Sequence, residues 1–63
     1  MGKQTYKLKP ENGKWVVYIY GTDYAVAHFD NYADALNKTI EHGNHVYKNI
    51  RIVDEWDGVI YEN

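Results

Sequence analysis

Polar and apolar residues alternate from Thr5 to Lys9, with Tyr6 and Leu8 on one side and Lys7 and Lys9 on the other. A period of two predicts a half-buried β-strand. "PENG" follows, and Asn12-Gly13 supplies two residues that tolerate positive φ, as a two-residue hairpin turn requires. Trp15 to Tyr20 predicts a second strand, yet both its faces are apolar or aromatic. Trp15, Val17 and Ile19 point one way; Val16, Tyr18 and Tyr20 point the other. After the turn cluster Gly21-Thr22-Asp23, Tyr24 to Phe29 predicts a third strand. Ala25, Ala27 and Phe29 share one of its faces, and Tyr24, Val26 and His28 the other. The two alanines are small enough to let a helix lie close to the sheet.

The run "NYADALNKTIEHG" changes period. Ala35, Leu36, Thr39 and Ile40 form a stripe at helical spacing. Asn31 is a good N-cap, and Asp34 sits three residues on, where a carboxylate can return to the backbone N–H of the cap. Gly43 is placed to end the helix in the left-handed conformation. "YKNIRIV" then alternates again, with Ile50 and Ile52 opposite Arg51 and Val53. "DEWDG" reads as a turn closed by Asp57-Gly58, and "VIYE" returns as a short fifth strand.

The expected order is β-β-β-α-β-β: a single α+β domain over residues 1–63, with one helix on one face of a mostly antiparallel sheet. Trp15, Val17, Ile19, Ala25, Phe29, Ile50 and Ile52 are expected to face the helix. Alternation then puts Val16, Tyr18, Tyr20, Tyr24 and Val26 on the outer face, with Lys7, Lys9 and Arg51 beside them. Even half exposed, those tyrosines and valines make an apolar patch of roughly 300–600 Å².

Composition sharpens this picture. A chain of 63 residues buries only about 60% of its unfolded surface, so its stability margin is thin. It has no cysteine and no serine, which removes disulfides, thiolate metal sites and serine or cysteine nucleophiles. The remaining supports are an aromatic core, drawn from seven Tyr, two Trp and one Phe, and self-association. A net charge of −2, with both signs spread along the chain, does not point to nucleic acid. No apolar run approaches a membrane span, and "MGKQTYKLK" lacks a signal-peptide core and has Tyr6 where myristoylation needs Ser or Thr. A cytoplasmic protein with no membrane contact is the consistent expectation.

Several short motifs resemble one known family. Gly13, Trp15 and Val17, then Gly21, then Asp30, Asn31, Asp34 and Ala35, and finally Asp57, Gly58 and Ile60 are similar to the pattern of the small bacterial and phage family called domain of unknown function 2188. In that pattern Gly-Gly-Trp-x-Val is followed by Gly, by Asp-Thr-x-x-Glu-Ala and by Asp-Gly-x-Ile. Lys14 replaces the second glycine, Asn31 the threonine and Asp34 the glutamate, and "WVVYIY" is less polar than the family's usual second strand. The resemblance spans nearly the whole chain and implies the β-β-β-α-β order. It carries no activity and no functional residues. A phage origin would imply an inhibitor or modulator of a host protein.

Candidate chemistry is sparse. His28, His42 and His45, with Glu41 nearby, suggest a metal, but Gly43 falls between two of the histidines and no cysteine completes a set. Asp54, Glu55, Asp57 and Glu62 form an acidic end that Trp56 interrupts, unlike a calcium loop. The sequon Asn37-Lys38-Thr39 falls inside the predicted helix. Trp56 either folds back as a core plug or stands exposed as an anchor. The expectation is a non-enzymatic binding module with no catalytic residue, metal or cofactor. It acts as a homodimer or on another protein through Lys7, Lys9, Val16, Tyr18, Tyr20, Tyr24, Val26, Arg51 and Trp56. The alternative is a nucleic-acid-binding accessory protein that stacks bases on Tyr18, Tyr20 and Tyr24 between Lys7, Lys9 and Arg51.

Overall fold

Asn12 and Gly13 both take positive φ, 52° and 77°, and the turn they make folds β1 (Gln4–Glu11) onto β2 (Lys14–Ile19) as an antiparallel hairpin. The computed structural model describes residues 4–63, so the start of the chain, considered above for leader and acylation patterns, lies partly outside the described residues. Gly21 (φ 81°) opens the turn to β3 (Ala25–Phe29). Helix α1 (Tyr32–Val46) carries the chain across the sheet to β4 (Ile50–Val53), and a second hairpin adds β5 (Val59–Glu62). The strand order is β3-β2-β1-β4-β5. All neighbours are antiparallel except β1 and β4, which run parallel because the helix returns the chain to its starting end. The architecture is the expected α+β domain, one helix on one face of the sheet.

The helix starts where its cap predicts. Asn31 is extended (φ −139°), and its Oδ1 accepts from the Asp34 backbone N–H at 2.8 Å. The Asn31 side-chain amide in turn donates to Asp34 Oδ2 at 3.2 Å, in place of the expected bond from the Asn31 backbone N–H. The expected end at Gly43 is corrected: α1 runs on to Val46, and the Tyr47 N–H donates to the Gly43 carbonyl at 2.7 Å. Gly43 is buried inside the helix, facing Ile50 and Tyr6 with no room for a side chain. Its role is close approach.

Tyr6, Leu8, Val17, Ala35, Ile50 and Ile52 form the core between helix and sheet. Trp15 packs at its margin, edge-on to Tyr32 with ring centroids 5.0 Å apart. Two placements on β3 are corrected. Val17 pairs with Ala27 but Tyr18 with Ala25, so Val26 is an extra residue in a β-bulge. Ala25 therefore comes beside Tyr18, toward the outer face. Val26, expected outside, instead lines a cleft on the helix side with Val17, Ala27 and Phe29.

Candidate functional site

The outer face is built on the β1–β2 hairpin, where the register sets Lys7 opposite Tyr18 and Lys9 opposite Val16. The lysines do not lie over their direct partners. Each reaches the tyrosine one step along the diagonal: Lys7 Nζ is 5.5 Å from the Tyr20 ring centroid and Lys9 Nζ 6.0 Å from that of Tyr18. Such diagonal neighbours lie within reach of long side chains on a twisted sheet.

Carboxylates fix this arrangement. Lys7 pairs with Asp57 of the β4–β5 turn at 3.1 Å, and Lys9 with Glu11 at 3.8 Å. The Tyr18 hydroxyl donates to Glu11 as well. That hydrogen bond is the main reason the Tyr18 phenol is pushed up from its ordinary value. On β4, Arg51 lies beside Thr5 and opposite Glu62, and its Nε and Nη2 reach one Glu62 oxygen at 3.1 and 2.6 Å. Lys7, Lys9, Glu11, Tyr18, Thr22 and Asp23 surround a shallow recess of about 350 Å³.

The expected site residues are thus distributed unevenly. Lys7, Lys9, Val16, Tyr18 and Tyr20 form one continuous patch, with Arg51 one strand over. Tyr24 flanks it from the β2–β3 turn and is 68% exposed. Val26 is on the other side of the sheet. Trp56 resolves to the exposed alternative, at 78%. Its backbone N–H and that of Gly58 both donate to Asp54 Oδ1, at 2.9 and 2.8 Å, so a tight turn holds the indole in solvent.

Glu11 and Asp57 are the contributors that sequence reasoning missed. Glu11 had a signal: it follows Lys9 by two along one strand and so shares its face. Asp57 had none, because its meeting with Lys7 depends on β4 lying beside β1. The histidines are also reassigned. His42 and His45 share the continuous helix and line the helix-side cleft, while His28 pairs with Val16 toward the opposite face. Among the described residues no three His, Cys, Asp or Glu are placed to hold a metal ion, and no helix is long and apolar enough to cross a membrane.

No family model, no curated protein and no solved structure matches this chain. The resemblance to domain of unknown function 2188 rests on the short motifs quoted above, and the functional reading rests on the site itself.

Proposed function

We propose that this protein is a non-enzymatic protein-binding module whose outer sheet face docks on a second copy of the chain. The observation that carries the reading is the preset state of the aromatic rings. Tyr18 is held by Glu11 and Lys9, and Tyr20 lies under a lysine that Asp57 anchors. Aromatic side chains ordered before contact lose little entropy on binding. The charges support self-recognition, since Lys7, Lys9 and Arg51 are each matched by a carboxylate of the same face. Two such faces meet without like-charge repulsion. The same matching disfavours the nucleic-acid alternative, because a phosphate backbone would have to displace Asp57 and Glu11.

Sedimentation equilibrium across a wide concentration range tests the reading. The expected result is a mass that rises toward the dimer, and that stays monomeric in a Tyr18→Ser, Tyr20→Ser double variant with unchanged circular dichroism. A wild-type chain that remains monomeric at every concentration overturns it. Salt-sensitive binding of a single-stranded oligonucleotide to the wild type, lost in the same variant, would favour the alternative.

A further inference from the structure

We propose that the cleft between β3 and the C-terminal half of α1 is a separate binding site for an extended peptide segment. The peptide adds to the free edge of β3 and places an uncharged aliphatic side chain in the cleft. This site is on the opposite side of the sheet from the outer-face patch and does not depend on that reading.

The cleft is open to solvent and spans about 800 Å³, and Val17 and Tyr6 contribute to its lining. Its origin is visible in the packing. Gly43 brings the helix down onto Ile50 and Tyr6, toward β4 and β1, while Ala27 on β3 is too small to fill the space left on the other side. Val26, turned inward by the bulge, supplies an apolar wall that is still 43% exposed.

Beside the cleft runs a strand edge. β3 ends the sheet order, so among the described residues one of its sides has no strand partner. Sheet edges are usually blunted by lysine, proline or a bulge. β3 reads AVAHF, with neither lysine nor proline, and its bulge affects only the Ala25–Val26 end. Ala27 to Phe29 keep regular pairing with β2 and leave their other side open to a further strand. A free edge next to an apolar cleft is the arrangement by which sheets capture peptides: backbone bonds hold the strand and a pocket selects alternate side chains. A small apolar molecule would fill the cleft but leave the edge unpaired.

Charge sets the chemistry of the occupant. β3 carries no Asp, Glu, Lys or Arg. On the helix wall Lys38 and Glu41 face each other at 3.8 Å and compensate one another. An uncharged strand enters without stripping water from an unmatched charge, whereas an acidic or basic side chain would have to compete for the Lys38–Glu41 pair or turn to His42 and His45 on the same wall.

The test is an NMR titration of the ¹⁵N-labelled full chain with a blocked hexapeptide that alternates threonine and valine. Saturable shifts are expected at Ala27–Phe29 and His42–His45. Two further peptides, N-methylated on all valines or on all threonines, present one or the other backbone edge, and one of them is expected to bind at least tenfold more weakly. Val26→Lys is expected to weaken the parent peptide by a similar factor. The absence of saturable shifts at millimolar peptide overturns the proposal, as does equal binding of all three peptides. Concentration-dependent shifts at Ala27–Phe29 that persist without peptide in the Tyr18→Ser, Tyr20→Ser double variant would assign the edge to a second copy and also overturn it.

Discussion

A Cβ built on Gly43 would lie 2.8 Å from Cδ1 and 3.0 Å from Cγ2 of Ile50. Inside an exposed helix, glycine to alanine stabilises by about 1 kcal/mol. Here the sign reverses, because Ile50 is fully buried and has nowhere to retreat. Gly43→Ala is expected to destabilise by about 1–3 kcal/mol, the usual range for overpacking. Ile50→Val removes the closest atom, so the double variant should recover part of that loss. A double-mutant cycle in urea measures it; strictly additive losses would mean that the two residues do not press on each other.

The two tryptophans are expected to behave oppositely. Trp15 packs against Tyr32 at the edge of the core, whereas Trp56 stands in solvent on a turn fixed by Asp54. Trp56→Ala should change stability by less than about 0.5 kcal/mol, as surface substitutions do. Trp15→Ala should cost about 2–4 kcal/mol. Acrylamide quenching of each single-tryptophan variant gives a second check: the variant that keeps Trp56 should be quenched more strongly.

Asp54 closes the β4–β5 turn through its side chain as well as its backbone. Oδ1 accepts from Trp56 and Gly58, and the Asp54 backbone N–H donates to the Gly58 carbonyl at 2.8 Å. Removing the carboxylate leaves two amides to water. Asp54→Ala is expected to cost about 1–2 kcal/mol. Asp54→Asn keeps an acceptor oxygen and should recover most of that loss. Hydrogen exchange at the Trp56 and Gly58 amides reports the effect locally, and unchanged exchange in Asp54→Ala would contradict it.

Features set by local chemistry were legible in the chain, and features set by packing were not. Asn12 and Gly13 act through their own backbone and Asn31 through a side-chain bond to a backbone amide three residues on, so residue type and spacing suffice to place the first hairpin and the start of the helix. Gly43 has two possible uses, ending a helix or allowing close approach, and only the position of Ile50 decides between them. Val26 shows a different limit. Alternation assigns faces only while the register is unbroken, and a bulge that carries no glycine leaves no mark in the residue pattern. Lys7, Lys9, Val16 and Tyr18 keep the common face that alternation assigns them because β1 and β2 are joined by a two-residue turn, which fixes their register. Its carboxylate anchor from β5's hairpin, Asp57, was hidden because strand order was not readable.

Alkaline titration separates the tyrosines. Hydrogen bonding to Glu11 is the main cause that raises the Tyr18 phenol above its ordinary value of 10.0, and burial is the main cause for Tyr6. Both groups are held neutral by the fold. A phenol whose folded pKa is raised contributes stability that is complete below its unfolded value and is lost as pH climbs through the folded one. Tyr6 and Tyr18 are expected to ionise above that ordinary value, as a late step in absorbance at the phenolate band. Glu11→Ala removes both the acceptor and the charge, so Tyr18 should move down toward its ordinary value while Tyr6 stays raised. A late step that keeps its full amplitude in Glu11→Ala would show that Glu11 does not hold Tyr18. The preset ring on which the proposed interface rests would then lose one of its two anchors.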